Sequence, residues 1–512
     1  MATTLSLASQ AASSAPPASP TAWQWGAWVV GGVALLVAGA LVTPLHKLAP
    51  THDAHRLLQV AAYALVFLVV AVVPSVRTAW LRRWQAVPKL ARLVLWFVMA
   101  GGAVSALLAA SPRYALIELV SMVALSTLVL LTATLAHERP KAFRQGAHVV
   151  LAVGVGIYLL RFAVTYAVWQ PGWPYANLGM PHPRHFNHLL TWTLPLMVLL
   201  LGATGTARYR RVLGLVLGMG WVMLAFASGG RGTLAAVAVA TLLTVALYRR
   251  QSLGWMAQQG TIWIAGFALF WVLFKVALGH ESAQGLTRAG LSDRDLLWGL
   301  SWTFIQAQPW LGLGPMHFSA LEAVNVQGLA AHPHNVVVQW AVEWGVPSTL
   351  LVLGLGGWAA VAWIRQSLKT EERTERLVRV ALTASLLAGA AHLMLSGLLV
   401  MPLSQLVFAL VAGWTLGLYQ RIASPDTSIP ETSGGLVPAT RRARVAPAVF
   451  GALLIGWLAL VVPEALRLQE RHDAYVEQTD PQNLAPRFWQ QGVIAWDTWP
   501  ARPVAADEHA NR

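Results

Sequence analysis

Long apolar runs, most of them close to 20 residues, recur from one end of this chain to the other. The hydrocarbon core of a bilayer is about 30 Å thick, and about 20 helical residues cross it. Backbone polar groups in lipid must be satisfied within the segment, so runs of this length predict helices. Only 11% of the residues are charged. We therefore predict an all-α polytopic membrane protein.

The spacing of the apolar runs predicts a small number of regions. Residues 1–22 form a disordered tail, residues 23–463 a transmembrane domain, residues 421–445 a linker within it, and residues 464–512 a C-terminal tail. The first apolar run is an uncleaved anchor. We predict thirteen spans, near residues 23–42, 57–75, 92–110, 114–136, 147–167, 188–204, 213–228, 233–248, 261–279, 336–363, 378–396, 404–420 and 446–463.

The basic residues indicate the orientation of the chain. They fall in short clusters between alternate spans, and these clusters hold more than half of the 36 Lys and Arg residues. Cytoplasmic loops of membrane proteins carry such an excess, so we predict a cytoplasmic N-terminus and an external C-terminal tail. The net charge of +15 is distributed in the same way and does not indicate nucleic-acid binding. The absence of cysteine excludes disulfides and thiolate metal sites.

The predicted topology places a large loop, residues 280–335, on the external face. Such a loop is too long for a simple connector. Ser292 and Asp295 have the spacing of a capping box, which predicts a helix that begins near Arg294 and ends near Pro309. An arginine in the first helical turn opposes the helix dipole, unless an anion lies between them. The alternative is a solvated Arg294 that pairs with a neighbouring aspartate.

Two further external segments carry candidate residues. In "SGGRGT", glycines on both sides of Arg231 would let a ligand approach the backbone, although arginines at span ends often extend to the interface instead. In "HPHN", Asn335 is a good N-cap for the following helix and leaves the imidazole of His334 outside it. Histidine is the side chain best suited to accept a proton near neutral pH. A histidine that only satisfies a loop carbonyl is the alternative.

The segment "HPRHFNH" raises the question of a metal. His182, His185 and His188 are three residues apart, a spacing that can bind zinc on a helix. Pro183 interrupts the helical register and no acidic residue is near. We therefore predict no metal and no cofactor, and interpret the segment as an arginine-bearing loop, with Arg184, that ends in an Asn187 helix cap.

The order of three motifs resembles the O-antigen ligase and O-antigen polymerase superfamily. They are "SGGRGTLAAVAVA", then "RDLLWGLSWTFIQAQPWLGLGPMHF", then "HPHNVVVQWAVEWGVPS". The corresponding family elements are an S-x-S-R-G-like segment, an R-x3-W segment with a P-x-L-G-x-G turn, and an H-N pair followed by E-x-G. The resemblance covers roughly residues 184–415.

The resemblance implies a metal-independent glycosyltransferase of the bacterial inner membrane, with its site on the periplasmic side. Its donor would be a glycan linked to undecaprenyl diphosphate. Arg231, Arg184 and either Arg288 or Arg294 would bind the diphosphate, and His334 would be the catalytic base. His332 and Asn335 would support the acceptor. This sequence departs from the family pattern at Gly230, which replaces the second serine and removes its hydroxyl.

The acceptor remains open at this point. The hydroxyl of a lipid A core sugar ranks first, and another glycan repeat or a protein serine or threonine are the alternatives within the superfamily. A secondary transporter or carrier of the same lipid-linked glycan is the alternative outside it. Transporters usually show internal repeats and ionisable residues near the middle of the bilayer; we find no such repeat, and Glu343 is interpreted as a packing residue.

Overall fold

All described elements of the protein are helices. The computed structural model describes residues 21–43, 49–169, 179–180, 182–202, 207–279, 294–321, 329–423, 441–479 and 486–494. The helices are α1 (Ala22–Ala40), α2 (Thr51–Val72), α3 (Pro74–Gln85), α4 (Lys89–Leu108), α5 (Pro112–Glu138), α6 (Pro140–Trp169), α7 (Pro183–Thr193), α8 (Val198–Leu201), α9 (Arg208–Ala227), α10 (Arg231–Tyr248), α11 (Leu253–Phe270), α12 (Arg294–Ala307), α13 (Val336–Trp344), α14 (Val346–Ser367), α15 (Arg373–Leu393), α16 (Pro402–Ala423), α17 (Arg441–Ala465) and α18 (Leu468–Thr479).

The prediction of an all-helical polytopic membrane protein is confirmed. Within the described residues, eleven helical segments are long and apolar enough to cross a membrane, and one of them, Arg231–Ala277, contains two of the predicted spans. The count of thirteen stays a prediction. The N-terminal tail before residue 21, Arg288, most of the linker 421–445 and the end of the C-terminal tail lie outside the described residues.

The predicted span 336–363 is interrupted in the structure. α13 ends at Trp344 and α14 begins at Val346, with Gly345 between them at φ 78°. A left-handed residue of this kind ends a helix, and glycine adopts it without strain. A Cβ at Gly345 would collide with the Trp310 carbonyl. The loop after α12 therefore packs against the break, and the apolar periodicity gave no sign of it.

The predicted span 188–204 is also replaced by shorter pieces. α7 begins at Pro183, where proline stands at the first helical position and His182 caps the end. A 3-10 turn, Leu194–Leu196, separates α7 from α8. Asn187 therefore lies within α7 and is not the predicted cap, because proline at N1 suits a helix start. The early start places Arg184 and His188 on one short helix.

The described core is centred on α5 and α16. α16 approaches α5 closely because Gly413 and Gly417 face it, and a Cβ on either would lie 2.5–2.6 Å from atoms of Val129, Thr132 or Ala133. Small residues at helix contacts allow such close packing in membrane proteins. Two further pairs, α10 with α15 and α2 with α17, flank this core.

α10 and α15 give the bundle two distinguishable ends. α10 is 18 residues long, or about 27 Å at 1.5 Å per residue. The start of α10 and the end of α15 lie together, since a Cβ at Gly232 would come 2.7 Å from His392 Nε2. We call this end of the bundle the site end, and the other end the opposite end.

Candidate active site

The start of α13 holds the HPHN segment in a fixed geometry. Asn335 caps the helix as predicted, and its Oδ1 accepts hydrogen bonds from the amides of Val337 and Val338 at 3.0 and 3.1 Å. The amide of His334 donates to His332 Nδ1 at 3.2 Å. His334 itself has φ 55°, a conformation that is uncommon for a residue other than glycine and is worth attention at a functional site.

Neighbouring elements support this segment. The indole of Trp298 on α12 donates to the Pro333 carbonyl at 3.0 Å, and the Asn335 amide group donates to the Met394 carbonyl at 3.3 Å. His332 lies against Gly397, where a Cβ would come 2.5 Å from the imidazole Cε1. Contacts from α12 and from the segment that follows α15 therefore fix the position of the two histidines.

The glycine-rich turn after α12 explains one of the motifs. Leu313 N donates to the Val342 carbonyl at 2.8 Å and Gly314 N donates to the Glu343 carbonyl at 3.1 Å. These are carbonyls of the last turn of α13, which have no partner within the helix. Gly312 and Gly314 both have positive φ. The P-x-L-G-x-G turn thus caps the C-terminal end of α13, whose start carries His334.

The imidazole of His334 is set up to accept a proton or hydrogen bond. Its Nδ1 is buried and has no hydrogen-bond partner among the described residues. Burial lowers the pKa of His334 to about 3, with further contributions from the positive charges of Arg294 and Arg184. The ring is therefore neutral at neutral pH. Buried polar atoms usually have partners, so an orphaned nitrogen in this position calls for one from a ligand or water.

Three of the predicted arginines come together at the site end. Burial lowers the pKa of Arg294, and the positive charges of Arg184 and Arg231 lower it further. These residues come from the starts of α12, α7 and α10, which are far apart in the sequence. One guanidinium NH2 of Arg294 donates to the Leu395 carbonyl at 2.9 Å, which ties α12 to the segment after α15. The fourth predicted arginine, Arg288, lies outside the described residues.

The glycine at position 230, where the family pattern has a serine, has a steric reason. Gly230 precedes Arg231 at the start of α10, and a Cβ there would collide with the side-chain amide of Asn187. The Ser228 hydroxyl donates to Asn187 Oδ1 at 2.7 Å. Asn187 Nδ2 is buried without a hydrogen-bond partner among the described residues. Asn187 therefore takes the space that a side chain at position 230 would need.

A buried polar row that sequence reasoning missed adjoins these residues. The His188 ring nitrogen Nε2 lies 2.9 Å from Ser396 Oγ, and His392 Nδ1 lies 2.7 Å from Thr191 Oγ1. The rings of His188 and His392 are 5.5 Å apart. His392 lies near the end of a long apolar helix, and a polar residue in that position was the available signal. Among the described residues, no group of three His, Cys, Asp or Glu side chains has an arrangement that could hold a metal ion.

The C-terminal segment 486–494 packs beside the site end. Arg487 NH2 lies 2.8 Å from Glu343 Oε2, and the two side chains are only 3% and 1% exposed. Arg56 donates to the carbonyls of Phe488 and Arg487 at 2.9 and 2.7 Å. Ile494 N donates to the Ser319 carbonyl at 3.0 Å. Glu343 is thus a packing residue with a charged partner more than 140 positions away, which no local pattern could reveal.

Comparison with known proteins agrees with the order of the motifs. A family model described as O-antigen ligase matches residues 213–353. This range includes Arg231, Arg294, the P-x-L-G-x-G turn and the HPHN segment. A search of the curated proteins gave no match to the chain. The resemblance predicted from the motifs is therefore confirmed, and the O-antigen ligase domain at residues 213–353 supports placing this membrane protein in the O-antigen ligase superfamily.

Proposed function

We propose that this protein moves a glycan from undecaprenyl diphosphate to an acceptor hydroxyl on the periplasmic face of a bacterial inner membrane. Members of the family are glycosyltransferase-like enzymes. The observation that supports the proposal is the convergence of Arg184, Arg231 and Arg294 with His334 at the starts of four helices. Several cations beside a neutral imidazole suit a diphosphate leaving group and a hydroxyl nucleophile.

The arginines would bind the diphosphate of the donor. Guanidinium groups form charge-assisted and often bidentate hydrogen bonds with phosphate oxygens. Arg231 is the first residue of α10, a helix start without a side-chain cap, and a helix N-terminus also favours an anion. Three like charges near each other repel, and a bound diphosphate would offset that repulsion. The same charges stabilise the diphosphate as it leaves, which is a preorganised electrostatic role.

His334 would accept the proton of the attacking hydroxyl. The acceptor oxygen forms a bond to the anomeric carbon, the bond from that carbon to the diphosphate oxygen breaks, and the proton goes to the imidazole. This single displacement inverts the configuration. A pKa of about 3 makes a weak base. Burial is the main cause of this low pKa, and a diphosphate between His334 and the arginines would offset the smaller contribution of their positive charges, so we expect the base to gain some strength when the donor binds.

The acceptor is assigned to a lipid A core sugar, with a second glycan repeat and a protein serine or threonine as alternatives. Glycan transfer in proteoliposomes distinguishes them. Wild-type protein receives undecaprenyl-diphosphate glycan together with a core-lipid, glycan or peptide acceptor, with EDTA present throughout. We expect product on the core-lipid acceptor, and a loss of about 10²- to 10⁴-fold in rate for His334→Ala, because a positioned general base contributes about that much.

His148→Ala is the matched control, because His148 lies on α6 beside the Leu199 carbonyl, near the opposite end of the bundle. Product on a glycan or peptide alone would move the assignment to a polymerase or a protein oligosaccharyltransferase. Full activity in His334→Ala would contradict the proposed base. Movement of the donor across the membrane without covalent transfer would identify a carrier instead.

A further inference from the structure

The opposite end of the bundle contains a cavity of about 590 Å³. Four arginines line it: Arg211, Arg250, Arg373 and Arg376. Arg250 follows the end of α10, and Arg373 begins α15. The cavity therefore lies at the other ends of the two helices that carry Arg231 and His392, about 27 Å from the candidate active site. It is a separate place in the molecule.

The charge of the cavity is not balanced by acidic residues in its lining. No Asp or Glu is among the described residues that line it. Two acidic residues near it, Glu372 and Glu375, have other contacts. Glu372 caps α15 and accepts from the amides of Thr374 and Glu375 at 2.7 and 2.6 Å. Glu375 pairs with Arg379 at 2.8 Å and lies 3.8 Å from Arg421.

Further features of the lining suit an anion that also carries hydroxyl groups. α9 begins at Arg208 without a side-chain cap, so the positive end of its dipole lies next to Arg211. Two glutamines complete the polar lining, and both Gln251 Oε1 and Gln258 Oε1 are buried with no hydrogen-bond partner in the described parts of the chain. These oxygens would accept hydrogen bonds from hydroxyl or amide groups of a ligand.

We propose that this cavity binds a phosphate-bearing anion. The arginines supply charge-assisted hydrogen bonds to the phosphate oxygens, and the glutamine oxygens accept from hydroxyl groups next to the phosphate. The volume falls within the usual range for small-molecule sites. Surface arginines that only follow the positive-inside rule would not need to line one concave space. The ligand is the headgroup of an acidic phospholipid or a soluble phosphate compound, and both share this chemistry.

Ligand-dependent thermal unfolding of the purified full chain in a neutral detergent tests the proposal. Short-chain phosphatidylglycerol, inorganic pyrophosphate and short-chain phosphatidylcholine are titrated separately at constant ionic strength. A ligand that binds the folded state stabilises it by RT ln(1 + [L]/Kd), so the unfolding temperature rises with ligand concentration and the rise gives the apparent Kd. The variants are Arg250→Gln with Arg376→Gln, and Arg82→Gln with Lys89→Gln as the matched control. Arg82 and Lys89 are exposed residues at the same end of the bundle, on α3 and α4.

We expect phosphatidylglycerol to stabilise the wild type, and its apparent Kd to rise at least tenfold in the cavity variant and less than twofold in the control. Phosphatidylcholine, which has no net charge, should have little effect. If pyrophosphate shows the same tenfold difference between the cavity variant and the control, the site takes free phosphate compounds as well as the headgroup. The cavity variant keeps the candidate active site unchanged. Pyrophosphate that binds the wild type and the cavity variant equally is therefore bound at another site.

Equal responses of the wild type, the cavity variant and the control to every ligand would overturn the proposal. If the cavity variant does not fold, the double variant Arg250→Lys with Arg376→Lys, which keeps both positive charges, is used in its place. Lysine cannot make the bidentate contact, so this variant should bind phosphatidylglycerol more weakly than the wild type. Binding equal to that of the wild type in a folded lysine variant would also contradict the arginine contacts.

Discussion

The two ends of α10 and α15 both carry several arginines, but their surroundings differ. At the site end, burial lowers the pKa of Arg294, the nearby charges of Arg184 and Arg231 lower it further, and His334 lies near Arg294 and Arg184. At the opposite end, Arg211, Arg250 and Arg373 are exposed, and their polar neighbours in the cavity are glutamines. Glutamine does not titrate, so the described residues that line the cavity can bind an anion but offer no side chain that accepts a proton.

This difference shows that arginine number alone does not identify a catalytic site. At the site end, the imidazole of His334 has an unsatisfied buried nitrogen, and its residue has the uncommon positive φ of 55°. The described lining of the cavity at the opposite end has arginines as its charged residues and glutamines as hydrogen-bond acceptors. We therefore expect chemistry at one end and binding at the other, and the following predictions test that distinction.

The largest effect is expected from the paired removal of arginines at the site end. Arg231→Gln with Arg294→Gln should lower the transfer rate by roughly 10³-fold, because removing a single donor to a developing negative charge typically costs about 10²- to 10³-fold. Arg82→Gln with Lys89→Gln removes two positive charges at the opposite end and serves as the control. Similar losses in the two double variants would mean that total charge, and not position, matters.

The ion pair between Arg487 and Glu343 should control the stability of the site end. Arg487→Met leaves a buried carboxylate without its partner, and removing one member of a buried pair costs about 3–5 kcal/mol. We expect a clear fall in the thermal unfolding midpoint. Glu343→Leu with Arg487→Met removes both charges and should recover much of that loss. A double variant as unstable as the single one would contradict this account.

A smaller effect is expected from restoring a serine at position 230. Gly230→Ser places a Cβ against Asn187, and overpacking of this kind costs about 1–3 kcal/mol. The unfolding temperature should fall, and Asn187→Ala in the same chain should restore part of it by opening space. A Gly230→Ser variant as stable as the wild type would show that Asn187 moves away freely.

The smallest effect is expected from the dependence of the protein's stability on pH. The pKa of His334 is about 3 in the folded protein, against an ordinary value of 6.5. Between these values the unfolded chain binds the proton and the folded chain does not, so stability falls as the pH decreases from about 6.5 towards 3. The pKa values of His182, His185 and His332 are lowered in the same direction by burial.

Unfolding temperatures measured between pH 7.5 and 5.0 would test this expectation. His334→Gln should lose part of the pH dependence, because the residue that excludes the proton is gone. His148→Gln is the control. An unchanged pH dependence in His334→Gln would mean that the other buried histidines account for all of it.

Local patterns predicted a large part of the fold and some of the site. The apolar runs located the long helices, since a membrane span needs an uninterrupted apolar segment of a known length. Asn335 was predicted as a cap because capping depends on residues two and three positions away. The described part of α12, Arg294–Ala307, falls within the predicted helix, whereas its predicted cap, Ser292, lies outside the described residues. These features depend on neighbours in the sequence.

Features that depend on distant residues were not predictable. The break at Gly345 depends on the carbonyl of Trp310, and the glycine at position 230 depends on Asn187. His392 joins the site end through Thr191, about 200 residues away. The arginines of the opposite end appeared in the sequence as separate basic clusters with no sign of a common cavity.

The sequence by itself determined that this is a helical membrane protein that resembles the O-antigen ligase superfamily, and its motifs pointed to Arg184, Arg231, Arg294 and His334. Apolar length, capping and motif order are local properties, so they are visible in the chain. The tertiary structure alone decided which of these residues meet, what partner Glu343 has and where the opposite cavity lies. Helix packing brings together side chains hundreds of positions apart, and the burial and charge that result set the chemistry of each group.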